Sequence, residues 1–92
     1  MCFEIEKLRR KIDSIDDQVR TLLEQRMAII MDIAIIKEQD NLPILDSDRE
    51  HEIISRITMG QNNGMAEFTE SVFTAVLAAS RSYQARKSDS EQ

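Results

Sequence analysis

The first third of the chain carries apolar side chains at alternating steps of four and three residues, the spacing of one helix face. We call the eight positions of this series the seam: Leu8, Ile12, Ile15, Val19, Leu22, Arg26, Ile29 and Ile33. No glycine or proline interrupts this segment, so the pattern predicts one long helix over residues 4–39. The isoleucine-rich stretch 29–36 could form a strand in isolation, but it continues the helical period without a break.

The remaining chain is divided by its only proline and its two glycines, which are Pro43, Gly60 and Gly64. A second helix is predicted over residues 46–59, because Asp46 and Ser47 are both favourable N-cap residues. Ser47 and Glu50 also have the spacing of a capping box. Gly60 then offers a C-terminal cap for this helix.

A third helix is predicted over residues 65–86, followed by a polar tail over residues 87–92. Its apolar stripe consists of Phe68, Val72, Phe73, Val76 and Leu77. The fold class expected for residues 1–92 is therefore all-α, with a single domain of three helices per chain.

The length of the first helix predicts a second copy of the chain. A helix over residues 4–39 is about 50 Å long, whereas a compact chain of this size has a radius of gyration near 12 Å. Two shorter helices cannot cover the whole seam. We therefore expect an intertwined homodimer in which the long helices of two protomers lie against each other.

Composition narrows the function classes. The 92 residues include 12 basic and 17 acidic side chains, and this net charge of −5 argues against nucleic acid as a partner. No apolar stretch is long enough to span a membrane. The N-terminus does not resemble a signal peptide, and one cysteine cannot form an internal disulfide, so the expected location is the cytoplasm.

Several chemistries lack the residues they need in this sequence. The single histidine, His51, has no companion that would make a nucleophile–base pair. No His, Cys or carboxylate cluster has metal-ligand spacing, and no glycine-rich phosphate loop is present. We therefore expect neither a metal nor a cofactor. A functional site in this chain would therefore act on its ligand through positive charge, hydrogen bonds and shape.

Polar residues nevertheless interrupt the apolar faces. Arg26 occupies a seam position, and Lys37 follows one turn after Ile33. In the third helix, Ser80 and Gln84 continue the stripe formed by its apolar residues. A cation on a buried face is unfavourable unless an anion meets it. The pattern thus indicates an interior that receives an anionic ligand. Arg49, a cation at the start of the second helix where the dipole disfavours it, fits the same interpretation.

These residues, in this order, carry a family resemblance. The stretches that match are residues 8–16, residues 22–26, Lys37, residues 43–50, Ser80 and Gln84. The chain resembles the all-helical chorismate mutases from about residue 8 to about residue 84. The resemblance implies a domain-swapped dimer with two shared sites and no cofactor. It also implies the isomerisation of chorismate to prephenate, a Claisen rearrangement in the shikimate pathway to phenylalanine and tyrosine.

The resemblance also implies roles for single residues. Arg26 and Arg9 would bind the substrate carboxylates, with Arg9 reaching in from the other protomer. Its neighbour Arg10 could take that place instead. Lys37 and Gln84 would hydrogen-bond the ether oxygen. Glu50, with the backbone near Asp46, would bind the ring hydroxyl. Arg49 and Ser80 would complete carboxylate binding. The apolar walls would be formed by Ile33, Ile53 and Leu77.

Alternatives remain open for the function. An isochorismate-pyruvate lyase would resemble this fold and bind a similar dianion, although Glu50 in the second helix favours the mutase. A non-catalytic dimerisation or effector-binding domain would not need Lys37, Ser80 and Gln84 together. Taken singly, Arg26 could extend to solvent, Lys37 could stabilise a helix end, and Glu50 could act only as a cap.

Overall fold

The computed structural model describes residues 2–90 of the chain, with side chains described as far as Arg86. It consists of three helices: α1 (Phe3–Gln39), α2 (Ser47–Thr58) and α3 (Asn63–Ser90). The prediction of an all-α chain with one very long helix is confirmed. Residues 87–90, predicted to lie in a polar tail, instead continue α3, and residues 91–92 of that tail lie outside the described part.

The long helix α1 ends in a tight backbone reversal. Asn41 adopts a left-handed conformation with φ of 56°, which asparagine tolerates better than most residues. The N–H of Asn41 donates to the Glu38 carbonyl at 3.3 Å, and the N–H of Leu42 donates to the Lys37 carbonyl at 2.7 Å. This pair of bonds is the Schellman arrangement. It ends α1 one turn after Lys37 and directs the following loop back along the helix.

The second helix begins at an aspartate cap. Oδ1 of Asp46 accepts a hydrogen bond from the N–H of Arg49 at 3.0 Å, which satisfies one donor of the first turn. The predicted capping box between Ser47 and Glu50 is therefore wrong, because the cap lies one residue earlier. As a result, the Glu50 carboxylate is available for a contact outside its own helix. After α2, Gly60 takes a φ of 82°, which glycine adopts without strain.

The third helix begins two residues earlier than its pattern predicts. Oδ1 of Asn62 accepts a hydrogen bond from the N–H of Met65 at 2.8 Å, so asparagine acts as the cap. Gly64 consequently lies within the first turn of α3. The link from α2 to α3 is correspondingly short and holds the two helices side by side.

Helix α3 packs against both of the others, whereas no backbone contact joins α1 and α2 in the described part of the chain. The α1 side chains that face α3 include Arg26, Ile30, Ala34 and Lys37, which are buried or half-buried. This face lies beside the predicted seam and shares only Arg26 with it. A gap therefore remains between α1 and α2, with α3 along one side.

The seam itself is uncovered in the single chain. Its seven aliphatic side chains are between 40% and 62% exposed. Among the described residues, the buried apolar side chains are only Ala34, Ile53 and Leu77. The accessible surface is 7457 Å², whereas a compact chain of this mass exposes about 5,500 Å². None of the described helices is long and apolar enough to cross a membrane.

Candidate active site

A half-open cavity of about 230 Å³ occupies the gap between the three helices. Seven of the eight predicted site residues line it: Arg26, Lys37, Asp46, Arg49, Glu50, Ser80 and Gln84. The three predicted apolar wall residues, Ile33, Ile53 and Leu77, line it as well. The eighth site residue, Arg9, is not among the lining residues. The structure thus brings side chains that are up to 58 residues apart in sequence, from Arg26 to Gln84, into one small volume.

Arg26 is oriented by a chain of two hydrogen bonds. Its Nη1 donates to Oγ of Ser80 at 2.6 Å, and that hydroxyl donates to the Val76 carbonyl at 2.9 Å. Ser80 is only 4% exposed. A hydroxyl has a single hydrogen to donate, so Ser80 serves the guanidinium as an acceptor. The remaining donors of Arg26 are left for a ligand.

Lys37 lies at the end of α1, beside the loop that leads to α2. Its Nζ donates to the Ile44 carbonyl at 2.8 Å. An ammonium group has three donors, so this bond fixes its position and leaves two donors for other acceptors. The residue is half-buried, which strengthens the field of its charge within the cavity.

Gln84 brings an unpaired amide oxygen into the site. The side chain is 5% exposed, and its Oε1 is a buried acceptor that finds no hydrogen-bond partner among the described residues. Leaving such a group unpaired destabilises a protein by about 1–3 kcal/mol. A half-turn of the amide would present its two donors at the same place. The position is therefore suited to bind a polar ligand atom.

Arg49 and Asp46 lie at the rim of the cavity. Nη1 of Arg49 binds the Glu52 carboxylate at 2.6 Å along the exposed side of α2. Asp46 uses one carboxylate oxygen as the α2 cap. Neither side chain is committed to the interior, although both line the opening. A rotation of the Arg49 side chain away from Glu52 would direct a further cation from the opening into the cavity.

Glu50 projects from the first turn of α2 towards α3, where it meets Arg81. Nη1 of Arg81 lies 2.6 Å from Oε1 and 2.5 Å from Oε2 of Glu50. Arg81 also lines the cavity, although it is not among the residues that the sequence predicts for the site. The only available signal was its position directly after Ser80, and its partner on another helix is not apparent from that spacing.

Arg9 lies far from the cavity of its own chain. Its Nη1 binds the Glu6 carboxylate at 2.9 Å on the exposed surface of α1. The 17 residues that separate it from Arg26 correspond to about 25 Å along a helix. No side chain spans that distance, so Arg9 cannot complete the site of its own protomer. The same holds for Arg10, one residue closer.

The set of groups favours binding of a small dianion. Arg26 and Lys37 contribute positive charge to the cavity, whereas Arg81 is paired there with Glu50. Among the described residues no cluster of His, Cys, Asp or Glu is arranged to hold a metal ion. A larger groove of about 640 Å³ lies elsewhere, between α1 and Tyr83 of α3, but its lining is mostly apolar. Its one basic lining residue, Arg20, is accompanied by Asp16 and Glu24, so the groove does not gather several cations as the smaller cavity does.

Comparisons with known proteins identify the family of this chain. Residues 8–85 match the family described as chorismate mutase type II. A chorismate mutase from Methanocaldococcus jannaschii is 39% identical over 57 residues, which cover 62% of this chain and 58% of that protein. A bifunctional chorismate mutase/prephenate dehydratase from Aquifex aeolicus is 41% identical over 54 residues, covering 59% of this chain and 15% of that protein.

A solved structure has the same fold. It is described as a conserved hypothetical protein from Pyrococcus furiosus, with 33% sequence identity and a TM-score of 0.76. The match covers 91% of this chain and 99% of that one. The family match extends over most of the sequence, from α1 to the Gln84 region of α3. The chain belongs to the chorismate mutase type II family.

Proposed function

We propose that this chain is a chorismate mutase, which converts chorismate to prephenate by a Claisen rearrangement. The observation that carries the proposal is the convergence of Arg26, Lys37 and Gln84, with its unpaired amide oxygen, on one cavity. The family and its named relatives support the choice of substrate. In this proposal residues 1–92 act as one domain in phenylalanine and tyrosine biosynthesis, in the cytoplasm.

The proposed mechanism needs no covalent intermediate. In the rearrangement a carbon–oxygen bond of the enolpyruvyl ether breaks as a carbon–carbon bond forms, and negative charge develops on the ether oxygen. The guanidinium of Arg26 would hold one carboxylate and thereby favour the compact reactive conformer, because its fork matches a carboxylate. Ser80 would support this role by fixing the orientation of Arg26.

Lys37 and Gln84 would act on the reacting atom itself. One free donor of the Lys37 ammonium and one N–H of the Gln84 amide would hydrogen-bond the ether oxygen as its charge grows. Such preorganised donors lower the barrier most when they are shielded from water. The burial of Gln84 and the partial burial of Lys37 fit this requirement. Glu50 would accept the hydrogen of the ring hydroxyl, near the backbone of Asp46.

The proposed enzyme is a homodimer with shared sites. Arg9 is about 25 Å along α1 from Arg26, so it would bind the second carboxylate in the site of the other protomer. The exposed seam would pack against its copy in the same assembly. The single chain exposes roughly 2,000 Å² more than a compact monomer would, an area typical of an obligate interface. Arg49 at the rim would complete the binding of the carboxylates.

A product assay tests the proposal directly. The purified chain is incubated with chorismate and, in a parallel reaction, with isochorismate. We expect prephenate from chorismate, detected by loss of substrate absorbance and by acid conversion to phenylpyruvate. Salicylate and pyruvate from isochorismate, with little prephenate, would instead indicate the lyase. Absence of both reactions would leave a dianion-binding or dimerisation module.

A further inference from the structure

Arg81 connects the candidate active site to the opposite side of the α2–α3 pair. It lines the active-site cavity and also a second cavity of about 390 Å³, and it shares both linings with Glu50. We propose that Arg81 is a positioning residue that holds the Glu50 carboxylate in place and neutralises its charge towards a dianionic substrate. This inference rests on the proposed function, because it assigns a task within that same site.

The contact geometry supports the positioning role. Glu50 and Arg81 are 31 residues apart in sequence and belong to different helices, so their contact depends on how α2 and α3 pack. One guanidinium nitrogen lies between both carboxylate oxygens, at 2.6 and 2.5 Å. An ionised carboxylate has about four acceptor positions. The oxygens therefore retain acceptor capacity for a substrate hydroxyl while the guanidinium restricts the rotation of the side chain.

Electrostatics gives the second argument. A carboxylate in a cavity that binds a dianion repels its own ligand, and the repulsion is stronger where the site excludes water. Arg81 cancels this charge at the carboxylate itself. The side chains of the pair are 37% and 25% exposed, and ion pairs with such access to solvent contribute little to folding stability. The pair is thus better explained by the site than by the fold.

Two roles for Arg81 make different predictions. As a positioning residue it acts through Glu50, so its removal matters only while Glu50 carries a charge. As a direct substrate ligand it would act whether or not Glu50 is charged. A double-mutant cycle separates these possibilities, because only groups that act through each other are coupled. The variants are Arg81→Met, Arg81→Lys, Glu50→Gln and the double variant Glu50→Gln/Arg81→Met.

The experiment measures kcat and KM for chorismate in each variant, after circular dichroism and sedimentation have established that it is folded and has the wild-type assembly state. Arg81→Met is expected to raise KM about tenfold and to lower kcat, because a misplaced group in an active site can reduce the rate by up to about 10²-fold. In the Glu50→Gln background the same change should alter KM by less than about threefold, since no charge remains to be neutralised. Arg81→Lys keeps the positive charge, so its KM should be much closer to that of the wild type than the KM of Arg81→Met is.

The matched control is Arg56→Met, which removes an exposed arginine of α2 that lines neither cavity. It should leave both kinetic constants unchanged. Equal effects of Arg81→Met in the two Glu50 backgrounds would overturn the inference and make Arg81 a direct ligand. Wild-type kinetics in Arg81→Met would also overturn it. An inactive wild type would refute the proposed function itself, and the inference with it.

Discussion

The orientation of Arg26 depends on a single buried hydroxyl. Ser80 donates its only hydrogen to the Val76 carbonyl, so its oxygen faces the guanidinium as an acceptor. An arginine on a helix has many rotamers, and fixing one of them opposes a large side-chain entropy. The hydrogen bond therefore prepares the cation before any ligand arrives. Preparation of this kind is what converts a positive charge into a specific carboxylate site.

Lys37 provides the sharpest test among the single residues. We expect Lys37→Ala to lower kcat by about 10²-fold or more, because one preorganised donor to a developing charge contributes about that much. The fold and the assembly state of the wild type should be retained, as judged by circular dichroism and sedimentation. Lys7→Ala removes an exposed lysine of the same helix and should leave turnover unchanged. Near-native turnover in Lys37→Ala would show that the ether oxygen has another partner.

The sequence predicted the lining residues that interrupt an apolar stripe. Arg26 and Gln84 could be recognised because each occupies a position that the helical period assigns to an apolar side chain. Arg81 could not, because a cation one position beyond Ser80 looks like an ordinary surface residue. Its importance depends on the distance to Glu50 across two helices, and helical periodicity contains no information about the alignment of one helix on another.

At the scale of elements, the end of α1 determines where Lys37 lies. Asn41 reverses the chain, and the loop then returns the Ile44 carbonyl to within 2.8 Å of the Lys37 ammonium. The backbone carbonyl of Lys37 is also used, since it accepts from the N–H of Leu42. Lys37 is thus held at both its backbone and its side chain by the seven residues that follow it.

A substitution at Asn41 tests the role of this reversal. Asn41→Val should lower the free energy of unfolding by about 1–2 kcal/mol, because a branched side chain is disfavoured at positive φ. Asn41→Gly should be tolerated, since glycine is the usual residue at this position of the motif. Urea unfolding at one fixed protein concentration measures both. Equal stability of the valine and wild-type chains would mean that the loop can relax without loss.

Helix ends were predictable where one residue type determines them, and less so where two compete. Gly60 marked the end of α2 correctly to within a residue or two. Asp46 and Ser47 were both plausible caps, and the structure uses the aspartate. That choice decides whether Glu50 closes its own helix or reaches α3. A shift of one residue in a cap therefore changed the interpretation of a site residue.

At the scale of the whole molecule, the chain is extended. Its radius of gyration is 16.9 Å, compared with about 12 Å for a compact chain of equal length. The longest dimension is 54 Å, which is the length of α1. The sequence predicted this mismatch from helix length alone. It also predicted that the seam would not be covered within one chain, but not that α3 would pack on the face beside it.

A mixing experiment tests whether two chains share each site. Arg9→Ala and Arg26→Ala should each be inactive as pure dimers. After unfolding and refolding together in equal amounts, random pairing should restore about one quarter of the wild-type sites, because half of the dimers are mixed and each mixed dimer has one intact site. The readout is turnover of chorismate. Refolding of each variant by itself is the control, and no recovery in the mixture would contradict a shared site.

Only three apolar side chains are buried among the described residues, and this small core has a consequence for how the molecule folds. In the proposed homodimer the chain finds most of its apolar partners on a second copy. It then has little to gain from folding by itself, so acquiring structure becomes a bimolecular reaction. Its rate should rise with chain concentration, and its thermal midpoint should do the same. Each tenfold dilution would remove about 1.4 kcal/mol from the free energy that favours the folded pair. Dilution would then act on this protein as a denaturant does on others.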